Sequence, residues 1–230
     1  EAEANHKKAL RMFEAIDGTE MEQARCLMNM GAVYESMGKF NEAAANYKEA
    51  LRMFEAIDGA EIDQAICLTG LGNVYLSMGK FNEAAANYKE ALRMFEAIPG
   101  TDIDQATCLM NLGAVYTRTG KFNDAEANYK EALRMFEAID GTDIEQAKCL
   151  ANLGAVYTRT GKFNEAEANY REALGMFEAI EGTEIEQAIC LMNMGYAYWS
   201  TGKFNEAEAN HKKALRMFEA IDGTEMEQAR

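Results

Sequence analysis

Cysteine is the most reactive side chain in this sequence. It occurs five times, at Cys26, Cys67, Cys108, Cys149 and Cys190, each 41 residues from the next. Thiols can bind zinc, form disulfides or act as nucleophiles. Structural zinc sites usually need paired ligands, and no C-x-x-C is present. An odd number of cysteines at this spacing does not make a disulfide framework. The five are read as reduced, buried, small apolar side chains. That favours a reducing compartment, so a cytoplasmic location is expected. His6 and His211 stand at a position held elsewhere by Tyr47, Tyr88, Tyr129 and Tyr170. They are read as packing residues, and no metal is expected. No Ser-His-Asp set, phosphate loop, metal-spaced histidine pair or paired acid in a pocket is apparent. Neither catalysis nor a cofactor is therefore expected.

Binding chemistry is better represented. Arg118, Lys148 and Arg159 gather positive charge in the middle of a chain whose net charge is -15. Tyr196 and the only tryptophan, Trp199, lie close to Met192. Arginine holds carboxylates bidentately, and Arg and Trp are common interface hot spots. Together they suit an extended peptide with acidic residues and an apolar anchor. The overall acidity argues against nucleic acid, which needs clustered Lys and Arg. No apolar run approaches the roughly 18 residues that span a bilayer, so no membrane association is expected.

These residues must be positioned by a repeating frame. Gly-Lys-Phe-Asn recurs at Gly38, Gly79, Gly120, Gly161 and Gly202, again every 41 residues. A fixed period of this length marks a unit that cannot bury its apolar face alone and must stack on its neighbours. Within 102–142, Ile103, Ala106, Leu109, Leu112, Gly113 and Tyr116 follow helical spacing and predict a first helix, A, over 102–119. Gly120 ends it, free to take positive φ. A second helix, B, is predicted from Lys121 to Ile139, with Phe122, Ala125, Tyr129, Ala132, Leu133 and Phe136 on one side. Asp140-Gly141 ends helix B. Thr19/Glu22, Thr142/Glu145 and Thr183/Glu186 have the Thr-x-x-Glu form of a capping box for the next helix A, as do Thr224/Glu227. Gly113, Ala125 and Ala132 leave room for Tyr116 and Tyr129. The fold class is thus all-α, an α-solenoid of antiparallel helix pairs.

Leu109, Leu112, Gly113, Tyr116, Ala125, Tyr129 and Ala132 resemble the tetratricopeptide pattern. The repeat is longer than the common length of about 34 residues. Glu55, Glu96, Glu137, Glu178 and Glu219 replace the proline that usually ends helix B. In this the chain is similar to the long repeats of kinesin light chains and of bacterial multidomain signalling ATPases. The resemblance implies a right-handed superhelix whose A helices line a concave, peptide- or protein-binding face. It places Arg118, Lys148, Arg159, Met192, Tyr196 and Trp199 on that face. Asn111, Asn152 and Asn193, with Asn29, hold a position where related repeats bind ligand backbone. Gly70 replaces the asparagine in the second repeat. Two other roles stay open: a structural array that associates head to tail, and the ligand-sensing arm of a larger signalling ATPase.

The organisation expected is one array over 1–230: a helix B of a preceding repeat (1–18), repeats 19–59, 60–100, 101–141, 142–182 and 183–223, and the start of another (224–230). Residues 206–230 repeat residues 1–25 without a change. A higher-order duplication, an engineered overlap or a segment of a nearly periodic polymer would each give this identity. The scattered Ala60, Gly70, Pro99 and Gly175 favour a fragment of a longer, recently duplicated natural array. Gly175 should weaken its helix by up to about 1 kcal/mol.

Overall fold

Helical periodicity becomes ten α-helices among the described residues of the computed structural model: 8, 12, 13, 16 and 18–228, with backbone alone for 222–228. They are α1 (Glu20–Ser36), α2 (Phe40–Phe54), α3 (Glu61–Ser77), α4 (Phe81–Glu96) and α5 (Asp102–Arg118), then α6 (Phe122–Glu137), α7 (Asp143–Arg159), α8 (Phe163–Glu178), α9 (Glu184–Ser200) and α10 (Phe204–Gln228). Odd numbers are A helices and even numbers B helices. The predicted A helix over 102–119 is observed within one residue. The B helix stops at Glu137, two residues before Ile139, which lies in the turn. The expected helix over residues 1–18 falls largely outside the described residues, as does His6.

Contacts divide the chain into two compact units, 1–120 and 121–230. In the first, α1 packs on α2 and α3 on α4, and α2–α3 and α4–α5 contacts stack the pairs. In the second, α7–α8 and α9–α10 form the pairs, joined by α6–α7 and α8–α9. This is the α-solenoid architecture read from the period.

The B helices bury one stripe. Ala84, Tyr88, Ala91 and Phe95 of α4 have almost no exposed surface, and Ala166, Tyr170, Ala173 and Phe177 of α8 repeat the pattern. Glycines on the A helices admit the tyrosine rings. A Cβ on Gly72 would lie 2.5 Å from Tyr88 Cε1, and one on Gly154 would lie 2.7 Å from Tyr170 Cε1. His211 occupies the same place against Gly195.

Each A-to-B turn has a specific cause. Gly38 takes φ +70°, its N–H donates to Glu35 O, and Lys39 N–H reaches back to Tyr34 O. This is a Schellman ending, which needs a left-handed residue after the helix. The lysine that follows each such glycine is also used: Lys162 lies over the Tyr157 ring and pairs with Glu126 at 2.9 Å. Glu126 also accepts from Lys130 and Tyr157, and these hydrogen bonds, Lys130 first, hold its carboxyl down at about 2.

The B-to-A turn corrects the capping-box reading. Thr19, Thr142 and Thr183 do stand at N-caps, as does Thr101, but none caps its own helix. Thr142 Oγ1 instead donates to Phe136 O at 2.7 Å or Ile139 O at 2.9 Å, at the end of the preceding B helix. Gln146 Nε2 reaches the same Phe136 O at 3.2 Å. The physical reason is the backbone: φ -106° and ψ 24° at Thr142 lie outside the extended region a side-chain N-cap requires. Thr224/Glu227 falls within α10, where only the backbone is described.

A second difference concerns residues 222–228. The turn expected at Asp222-Gly223 is not formed, and α10 runs through to Gln228. The other B-to-A turns are held by a following A helix that packs through residues such as Cys190 and Leu191.

Candidate functional site

The polar groups of the two helix types have different fates. On the B helices one asparagine of each repeat and most of the arginines are satisfied locally. Asn46, Asn87, Asn128, Asn169 and Asn210 each donate to the carbonyl four residues earlier at 2.8 Å. Arg52, Arg93 and Arg134 each pair with a glutamate three residues earlier.

On the A helices the corresponding groups remain open. Asn111 on α5, Asn152 on α7 and Asn193 on α9 are half-buried, and Asn29 on α1 is exposed. None of their side-chain amides makes a hydrogen bond to another described residue. Arg118, Lys148 and Arg159 make no ion pair within 4 Å among the described residues. Arg25 is the A-helix exception, held by Asp63 at 3.2 Å.

In the second unit, Lys148, Asn152 and Arg159 occupy one side of α7. The interval of 11 residues between Lys148 and Arg159 is three helical turns, about 16 Å along the axis. The neighbouring helix α9 carries a stripe at helical spacing: Met192, Tyr196 and Trp199 are 43%, 54% and 57% exposed. The Tyr196 and Trp199 rings pack with centroids 5.7 Å apart. α7 and α9 touch one another, so the basic and aromatic stripes belong to adjacent helices. In the first unit, Asn111 and Arg118 lie seven residues apart on one side of α5.

Two features of the A face escaped the sequence reading. One is the glutamine of each B-to-A turn, whose signal was its presence in every repeat at Gln23, Gln64, Gln105, Gln146 and Gln187. The other is a hollow of about 260 Å³ beside Gly70 in the first unit.

The thiols are not part of an open site. Cys67, Cys108, Cys149 and Cys190 are fully buried, and burial pushes their pKa values up to about 12, 11, 12 and 12. Among the described residues no group of three or more His, Cys, Asp or Glu is placed to hold a metal. No helix of the described residues is long and apolar enough to cross a membrane.

A family model described as Tetratricopeptide repeat matches residues 1–56, 63–138 and 143–220. The chain therefore belongs to the tetratricopeptide repeat family. Among solved structures it is similar to BtubC (BKLC) from P. vanneervenii, at 24% identity and TM-score 0.81, covering 96% of this chain and 91% of that one. The Rap conjugation gene regulator of the plasmid pLS20, in complex with a Phr peptide, is 18% identical with TM-score 0.71, covering 86% of this chain and 54% of that one. YrrB, described as a TPR protein with an unusual peptide-binding site, is 18% identical with TM-score 0.56, covering 92% and 91%. At these identities the likeness concerns the fold. No curated protein sequence matches the chain significantly.

Proposed function

We propose that the chain is a non-catalytic scaffold that binds an extended peptide or protein segment along its A helices. The observation that carries this reading is the contrast between helix types. The B-helix residues Asn46, Asn87, Asn128, Asn169 and Asn210, and Arg52, Arg93, Arg134 and Arg171, are satisfied within the chain, whereas the A-helix residues Asn111, Asn152, Asn193, Arg118, Lys148 and Arg159 keep their donors and acceptors open. Half-buried polar groups without partners are costly unless something completes them. A peptide backbone can do so, because each residue offers one donor and one acceptor.

The side chains refine the partner. Lys148 and Arg159 on α7, and separately Arg118 on α5, suit acidic ligand residues. Met192, Tyr196 and Trp199 on α9 offer an apolar platform for a large ligand side chain. Further support comes from the two similar structures whose descriptions mention a peptide or a peptide-binding site.

The test is a synthetic array of peptides that combine acidic and aromatic residues, probed with the wild-type chain and single variants. Arg159→Glu and Trp199→Ala should each weaken captured peptides by at least about tenfold, as expected for interface anchors. Arg118→Glu tests the first unit in the same way. An array with no captured peptide, or one unaffected by all three changes, would sink the proposal.

A further inference from the structure

The A helices break their own rule once. Gly70 stands on α3 where the other A helices carry Asn29, Asn111, Asn152 and Asn193. The missing side chain has a structural consequence. A Cβ at Gly70 would lie 2.5 Å from Tyr47 Cζ and 2.7 Å from its Cε1. The Tyr47 ring thus fills space that a side chain on α3 would need. Its hydroxyl donates to Glu35 Oε2 at 3.2 Å, whereas the equivalent Tyr88 donates to Asn73 Oδ1 at 2.7 Å.

The hollow beside Gly70 is bordered by three A helices. Met28 and Ile66 supply apolar wall, Asn29 and Asn73 supply amides, and Asp104 stands at the rim. Asn29 is open at both ends of its amide, and Asn73 retains its NH2 group.

The charge around this hollow is uncompensated. Neither Asp104 nor Glu35 has a cation within 4 Å among the described residues. Partial desolvation raises the pKa of both carboxyls. The preceding repeat contains the missing complement. Asp63, one period before Asp104, is held by Arg25 through two hydrogen bonds of 3.2 and 3.3 Å. One period after Arg25 stands Ile66, which cannot provide a guanidinium. The array therefore shows which chemistry matches this acid, and lacks it here.

We propose that the hollow at Gly70 receives a lysine or arginine side chain of the bound peptide. The aliphatic stem lies along Met28 and Ile66, and the cationic head pairs with Asp104. Long basic side chains divide between apolar wall and polar rim in this way. A ligand carboxylate is disfavoured, because it would face the uncompensated Asp104. This inference rests on the reading of the A helices as a peptide-binding face.

A phage-displayed library of random dodecapeptides, selected on the full chain, tests both ideas and tells them apart. The pocket assignment expects Lys or Arg enriched at one register position. A selected peptide should then lose about tenfold in affinity to Asp104→Asn in fluorescence anisotropy, the scale of a charge-assisted hydrogen bond. Replacing its Lys or Arg by norleucine should give a similar loss, and the two losses should not add. Gly70→Asn, which restores the sibling residue, should also weaken binding. Asp104 is exposed, so its variant keeps the result decisive if Gly70→Asn fails to fold. Peptides enriched without a basic position, or binding indifferent to Asp104→Asn, would overturn the pocket and leave the scaffold standing. No enrichment at all would overturn both.

Discussion

Two glycines in one helix pair turn the packing account into a signed experiment. Gly154 on α7 and Gly175 on α8 are both helical, and alanine at either gains up to about 1 kcal/mol of intrinsic helix preference. Their surroundings differ. A Cβ at Gly154 would sit 2.7, 2.8 and 2.9 Å from three ring atoms of Tyr170, itself only 1% exposed. That ring is buried between packed elements and has little room to retreat. Overpacking of this kind costs roughly 1–3 kcal/mol, with a full-size clash toward the upper end. A Cβ at Gly175 meets nothing within 4 Å. Gly154→Ala should therefore destabilise by about 1–2 kcal/mol net, and Gly175→Ala should stabilise by about 0.5–1 kcal/mol. Urea unfolding followed by circular dichroism measures both, and the variants should fall on opposite sides of wild type with similar m-values. Because repeat arrays can unfold in more than one step, each transition is fitted separately. Shifts of the same sign for both variants, or a Gly154→Ala chain as stable as wild type, would refute the placement of Tyr170 against α7.

Two other outcomes follow from the turns and the thiols. Thr142→Ala should cost about 1 kcal/mol in the same unfolding assay, because it removes a buried hydroxyl donor while Gln146 still serves Phe136 O. Thr142→Ser should restore most of that loss, and equal stability of both variants with wild type would contradict the turn-locking role. Cys67, Cys108, Cys149 and Cys190 should resist a thiol-specific dye at pH 8 in the folded chain and react in denaturant. Their raised folded pKa values also fix a sign: unfolded thiols ionise first, so stability should fall as pH rises from the ordinary thiol range toward 12. Rapid labelling of these four in the native state would contradict their burial.

The helices and their pairing were legible because both signals are local. Three-to-four apolar spacing located α5 and α6, and a glycine after each A helix located the turn. What escaped was decided by partners distant in the chain. Thr142 at an N-cap reads as a cap from sequence, yet its hydroxyl goes to a carbonyl six residues back, across the turn. Whether Asn152 or Arg159 is satisfied depends on which side chains other helices bring near them. Gly70 reads as a lost binding residue. The hollow beside it depends on where the Tyr47 ring settles, and the significance of Asp104 emerges only beside the Arg25–Asp63 pair.

Hydrogen–deuterium exchange of the chain with and without a captured peptide addresses the binding face most directly. Amides of 143–159 and 184–200, the A helices of the second unit, should gain protection, while those of 163–178 and 204–221 should change little. Protection gained only on the B helices would contradict the assignment of the A helices as the surface that holds the partner.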